Sequence, residues 1–136
     1  MYLLDTVILS ELRKPQVNTN VAAWIARQPS NELFASVITF MEIERGIERQ
    51  RLIDPDFAKK LEIWLESTLV TFAENILPVS SAGARVWGRL QTQLQRRDYD
   101  LAIAATALEH SLQVVTRNTK DFEGTGVVTV NPFETR

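Results

Sequence analysis

Short apolar runs alternate along the chain with longer stretches of helical period. The runs Tyr2 to Leu4, Leu33 to Val37, Asn75 to Val79, Gln113 to Thr116 and Val127 to Val130 are too short for independent helices and stop at Asp, Thr, Pro or Asn, the pattern of buried parallel strands. Between them the pattern predicts helices over Thr6 to Arg13, ended before Pro15, and over Asn20 to Arg27, Thr39 to Arg51, Pro55 to Ala73, Ser80 to Arg97 and Tyr99 to His110. Val86, Leu90 and Leu94 recur every four positions, and Phe57, Leu61, Trp64 and Leu65 at three and four, so each of these two helices has one apolar face. Strands and helices in this order predict an α/β protein, a three-layer α/β/α sandwich on a mostly parallel central sheet with right-handed crossovers. No repeat, low-complexity segment or Gly/Ser-rich linker divides residues 1 to 136, so one domain is expected from end to end.

Composition narrows the chemistry. The chain has no cysteine, which removes disulfides, Cys-ligated zinc and thiol nucleophiles and agrees with a reducing cytoplasm. Its one histidine, His110, cannot build a multi-His metal site. Lys and Arg number 15 against 17 Asp and Glu, a net charge of -2, so nothing global advertises nucleic-acid binding and a polyanion would need a local patch, a partner or a metal. Met1-Tyr2-Leu3-Leu4-Asp5 lacks the basic start of a signal peptide, and no apolar run approaches the roughly 20 residues that span a bilayer, so no membrane association is expected.

The carboxylates then stand out by position. Asp5 follows the first strand directly, at the sheet edge where α/β sites form, although it also suits an N-cap. Glu42 stands three residues after Thr39, which reads as a capping box. Asp100 opens the almost wholly apolar Leu101 to Ala107, where either it or Asp98 suffices as a cap. Asn118 and Asp121 follow the strand Gln113 to Thr116 and read singly as loop and cap residues. Yet all of them fall just past a strand or in the first turn of a helix facing one edge. Three carboxylates gathered there need a cation or a raised pKa, and an all-oxygen set suits Mg²⁺ or Mn²⁺, ions that promote phosphodiester hydrolysis.

Four segments carry a resemblance: Leu3-Leu4-Asp5-Thr6; Ser36-Val37-Ile38-Thr39-x-x-Glu42-Ile43-x-x-Gly46-Ile47; Asp100-x-x-Ile103-Ala104-Ala105-Thr106-Ala107; and Val115-Thr116-Arg117-Asn118-Thr119-x-Asp121-Phe122. In this order, and with Gly124-Thr125-Gly126-Val127 and Asn131-Pro132-Phe133 after them, the chain resembles the PIN-domain ribonucleases, specifically VapC/FitB-type toxins of bacterial toxin-antitoxin pairs. The resemblance implies a cytoplasmic, Mg²⁺- or Mn²⁺-dependent endoribonuclease that leaves a 5′-phosphate and a 3′-hydroxyl. It implies RNA as substrate, silencing by a small cognate antitoxin, a homodimer, and contact with DNA only through the antitoxin. By position, Asp5, Glu42 and Asp100 match the three acidic catalytic residues, with Asp5 and Asp100 as metal ligands. Asn118 matches a fourth position that is Asp or Asn, and Thr116 the small hydroxyl residue of the last motif, read here with Arg117 and Lys120 as substrate contacts.

Two features depart from the family pattern. Val7 stands where relatives have Asn or Ser to steady the first Asp, and Arg96-Arg97-Asp98-Tyr99-Asp100 replaces the usual Gly- and Pro-containing loop. That brevity predicts either residues missing from the sequence between Arg97 and Asp98 or an Asp100 hindered from reaching the metal. Together with Val7 it also motivates the rival reading, a PIN-like module that binds RNA or protein without cutting. A haloacid-dehalogenase-like phosphatase needs a second Asp where Val7 stands, and a Rossmann nucleotide site needs a Gly-rich turn where Thr6-Val7-Ile8-Leu9 runs. The amphipathic stretch Pro55 to Ala73, with Trp64 and Phe72, is the expected dimer surface.

Overall fold

The computed structural model describes residues 1–134 of the 136. Five strands form one parallel sheet: β1 (Tyr2–Leu4), β2 (Leu33–Ser36), β3 (Ile76–Leu77), β4 (Gln113–Val115) and β5 (Thr129–Val130), in the order β3-β2-β1-β4-β5. Six helices connect them: α1 (Thr6–Leu12), α2 (Thr19–Ala26), α3 (Val37–Arg51), α4 (Pro55–Thr71), α5 (Ser81–Leu94) and α6 (Asp100–His110).

β1 is only three residues long, and alternation along it divides the core. Leu4 belongs to the cluster with Ile8, Leu9, Trp24, Ile43, Ile47 and Leu65, from α1 to α4. Leu3 points the other way, to Leu90 of α5 and Leu101, Ile103 and Ala104 of α6. Side chains on successive strand residues face opposite sides of a sheet, so a two-leucine strand with helices on both faces produces three layers. Both leucines are 0% exposed, and truncating either to Ala is expected to cost about 2–5 kcal/mol.

The chain builds outward from β1 to β2 and β3, then crosses back to β4 and β5 on the other side. This reversal opens a crevice at the carboxyl ends of β1 and β4, the usual place for a site in an open α/β sheet. Leu4 pairs with Ala35 and Val115, so the residues next in line, Asp5, Ser36 and Thr116, stand together at that edge.

Several boundaries differ from the sequence expectation, most of them by one or two residues. The second strand stops at Ser36, whose Oγ accepts from Ile38 N at 3.0 Å and starts α3 at Val37 rather than Thr39. The fifth helix stops at Leu94, because Gln95 turns into the left-handed region (φ 52°). Trp64 and Phe72 pack against the core, and the apolar side chains that α4 leaves outward are Ile63 and Val70, at 63% and 77% exposure. Among the described residues no helix is long and apolar enough to cross a membrane.

Candidate functional site

Asp5 is the N-cap of α1 and the first side chain beyond the central strand. Its backbone N–H donates to Val115 O at 2.9 Å, which locks it to β4. Its carboxylate is held from two sides, Oδ1 accepting from Thr6 N and Oδ2 from Thr116 Oγ1, both at 2.8 Å. Thr116 Oγ1 accepts in turn from Asn118 N at 3.0 Å. The expectation that Thr116 touches substrate is therefore corrected: the residue is 0% exposed, its hydroxyl is committed, and its work is to orient Asp5. These two donors also supply the polar support that Val7 cannot.

The capping-box reading of Glu42 is corrected as well, since Ser36 caps α3. Glu42 instead accepts from Thr6 Oγ1 at 2.7 Å through Oε1. Thr6 Oγ1 also lies 3.1 Å from Thr39 Oγ1, whose residue is fully buried. A hydroxyl has one proton to donate, so Thr6 gives its own to the carboxylate and receives that of Thr39. Thr6 was not singled out in the sequence because its partner lies 36 residues away on another helix. Thr6 and Glu42 also head a groove between α1, α3 and α4 that runs past Ile43, Ile47, Leu61 and Trp64.

Asp100 is the first residue of α6, and neither it nor Asp98 caps the helix by a side-chain bond. Asp98 is taken by Arg96, whose Nε and Nη2 donate to it at 2.8 Å each, while Nη1 donates to Asp121 O at 2.9 Å. The brief passage from Gln95 to Tyr99 is thus pinned to the loop after β4, and it still delivers Asp100 to the cluster. Burial, then the charges of Asp5, Asp121, Asp98 and Glu42, push the Asp100 carboxyl up to about 7. Burial likewise raises Asp5 above its ordinary value, against the Thr116 and Thr6 hydrogen bonds, and the charges of Glu42 and Asp121 add to the rise.

The charges of Glu42 and Asp121 therefore act on both Asp5 and Asp100, and that of Asp5 on Asp100. The carboxylate that the sequence reading treated as a loop residue, Asp121, acts on both Asp5 and Asp100. Its signal was its place in the fourth segment, three residues after Asn118. Asn118 itself is exposed and precedes the 3-10 turn Thr119–Phe122, without a side-chain cap bond. Arg117 is exposed and carries its guanidinium carbon 4.3 Å from the Phe133 ring centroid. Lys120 is exposed on the same turn.

Among the described residues no three acidic or histidine side chains already surround one point as a finished metal cage. Mg²⁺ does not require one, since it is commonly held by one or two carboxylates and keeps several waters. Asp5 and Asp100 fit that requirement: they are hard oxygen donors, Asp5 is immobilised by two hydrogen bonds, and both are raised in pKa by burial and by the negative charges around them.

The PIN domain family model matches residues 2–127. Toxin FitB of Neisseria gonorrhoeae is 34% identical over 139 aligned positions, covering 98% of this chain and 99% of its own. VapC ribonuclease Y4jK of Sinorhizobium fredii is 33% identical over 144, with the same coverage. Among solved structures, FitAcB from Neisseria gonorrhoeae superposes with a TM-score of 0.86 at 33% identity, over 99% of this chain and all of that one. A toxin-antitoxin complex from Klebsiella pneumoniae gives 0.74 at 30%, over 99% and 100%. With most of its length matched by the family model and two relatives above 30% identity end to end, the chain belongs to the PIN domain family.

Proposed function

We propose that this protein is the ribonuclease toxin of a toxin-antitoxin pair, a Mg²⁺- or Mn²⁺-dependent endoribonuclease acting in the cytoplasm as a single-domain subunit. What supports the reading is that Asp5 and Asp100, by the switch point of the sheet, are both raised in pKa by burial and by the charges of Glu42 and Asp121, with that of Asp5 acting on Asp100 as well. Two relatives are named as a toxin and as a VapC ribonuclease, and a structural neighbour is a toxin-antitoxin complex, which supports the same reading.

Asp5 and Asp100 would hold the ion. When bound, it would polarise a phosphoryl oxygen and lower the pKa of water for attack on phosphorus. Thr116 and Thr6 N keep Asp5 in one orientation, so little is lost to reorganisation on binding. Thr6 holds Oε1 of Glu42, and Oε2, 3.9 Å from Arg45 Nη2, would ligate the ion through water or orient the attacking water. Asn118 stands at the margin, where its amide can order water or phosphate, and Arg117 and Lys120 offer positive charge to the RNA.

An antitoxin fits the groove that starts at Thr6 and Glu42, where a basic side chain in place of the cation would silence the site. A homodimer and DNA contact through the antitoxin complete the proposal. The test is hydrolysis of RNA with Mg²⁺ or Mn²⁺, with EDTA, and by Asp5→Asn. Metal-dependent cleavage lost in both controls is expected, and cleavage that survives EDTA and Asp5→Asn would defeat it. RNA binding without cleavage under every metal would favour the non-catalytic module.

A further inference from the structure

An acidic crevice that takes a polyanion needs cations beside it, and the arginines near this one differ in how they are held. Arg96 spends its donors on Asp98 and the carbonyl of Asp121. Arg13 lies over Phe57 and Arg117 over Phe133, with Cζ at 5.5 and 4.3 Å from the ring centroids. Arg45 is different. It sits one turn after Glu42 on α3, and its single ionic contact is a long one, 3.9 Å from Nη2 to Glu42 Oε2. Its side chain is 45% exposed, and its Cζ stands 5.7 Å from the Tyr99 ring centroid.

Tyr99 is the residue immediately before Asp100 and is 39% exposed. Behind it lies Trp87 of α5, with centroids 6.2 Å apart and rings inclined at 48°. Arg45 of α3, Tyr99 at the N-cap of α6 and Trp87 of α5 thus make a supported platform, Arg45 on Tyr99 on Trp87. It adjoins the acid cluster twice, Arg45 through its contact with Glu42 and Tyr99 as the chain neighbour of Asp100. Unpaired bases of RNA are held by stacking on aromatic rings and on guanidinium planes, and stacking of this kind is tolerant of sequence.

We propose that Arg45 and Tyr99 form a subsite for single-stranded RNA beside the scissile bond, a base stacking on the pair while the unused N–H groups of Arg45 meet a phosphate. This rests on the ribonuclease reading above. The subsite places the nucleotide next to the bond that is cut, so it governs how RNA is positioned rather than the bond-breaking step. Base-paired RNA cannot present an unstacked base there, so the subsite selects single strands over duplex.

Fluorescence anisotropy with a labelled single-stranded RNA oligonucleotide, in EDTA to prevent cleavage, tests this on the full chain. Tyr99→Ala is expected to weaken binding by about 5- to 100-fold, the range for losing one stacked base, and Tyr99→Phe to restore it to within about twofold. Arg45→Gln is expected to weaken binding and to reduce the slope of log affinity against log salt by about 1. Lys60→Gln, the same charge change on an exposed position of α4, is expected to alter neither. In cleavage assays with Mg²⁺, Tyr99→Ala is expected to raise KM by a larger factor than it lowers kcat.

If wild type binds and cleaves RNA but Tyr99→Ala and Arg45→Gln bind as it does, the subsite is wrong and the ribonuclease stands. If wild type neither binds nor cleaves RNA, both fall. If the substitutions spare RNA binding and change the sedimentation of the protein, the pair serves a protein contact and the inference is overturned.

Discussion

Helix α1 has a buried carboxylate at each end, and the fold treats the two in opposite ways. Glu11, in the last turn, is 6% exposed and is completed by its own chain: Oε2 accepts from Asn18 N and Oε1 from Lys14 Nζ, both at 3.0 Å. The Asn18 and Lys14 hydrogen bonds, helped by the charges of Lys14 and Arg117, hold it below its ordinary value. Asp5, before the first turn, is 5% exposed and has hydrogen bonds too, yet burial raises its pKa and the charges that act on it, those of Glu42 and Asp121, raise it further. Burial of an acid is therefore not what marks a site. The mark is an acid that the protein has oriented but left without a counter-charge, and α1 shows both cases within seven residues.

The largest effect that sharpens this contrast comes from removing charge at each end. Asp5→Asn or Asp100→Asn is expected to lower RNA cleavage by more than about 100-fold, beyond the usual loss for an outer partner of a metal ligand, with no loss of melting temperature. Glu11→Gln is expected to do the reverse, lowering the melting temperature while Mg²⁺ affinity stays as in wild type. Equal effects of the two substitutions on Mg²⁺ affinity would break the comparison.

Next in size is Thr116→Val, which keeps the shape and removes the hydroxyl bound to Asp5. It is expected to reduce Mg²⁺ affinity by about 10- to 100-fold, measured by calorimetry.

The pH dependence has opposite signs at the two ends. Asp100 rises from 3.8 to about 7 on folding, so it penalises the folded state increasingly as pH climbs between those values. Glu11 is lowered from 4.5, so its contribution is present above that value and is lost as pH falls through its folded pKa. In EDTA the melting temperature is therefore expected to rise as pH is lowered from about 8 to about 5 and to fall again in stronger acid. Saturating Mg²⁺ is expected to raise it most at the alkaline end. A metal-free curve that is flat from pH 5 to 8 would remove the electrostatic half of the comparison.

The smallest effect separates two neighbours on one loop. Asp121→Asn is expected to shift Mg²⁺ affinity by a few fold through its charge on Asp5 and Asp100, and Asn118→Ala by less than about twofold in the metal titration.

The sequence was legible where local chemistry decides. β1, an apolar run ended by Asp5, was readable because a strand stopping at a carboxylate marks a sheet edge, and each of the other strands appeared close to its place for the same local reason. Glu42 was misread as a cap because Thr39-x-x-Glu42 satisfies the local pattern, whereas the actual cap is Ser36 and the actual partner is Thr6 on another helix. Thr116 looked like a substrate contact because its motif adjoins the site, and only the register of β4 against β1 turns its hydroxyl onto Asp5. Asp121 was undervalued because its effect is a field exerted across the crevice, and no spacing rule records that. The brevity of Arg97 to Asp100 suggests missing residues or a hindered Asp100, and what the sequence does not disclose is that Arg96 anchors that turn to the Asp121 carbonyl, with the charge of Asp5 acting on Asp100.

The central claim is that the crevice is an acid cluster awaiting a cation, and the side-chain carboxyl of Asp100 reports on it directly. Its carbon NMR resonance, assigned by Asp100→Asn and titrated in EDTA, is expected to give an apparent pKa of about 7, falling below the ordinary value of 3.8 when Mg²⁺ is saturating. A midpoint near 3.8 in EDTA that Mg²⁺ leaves in place would contradict the account.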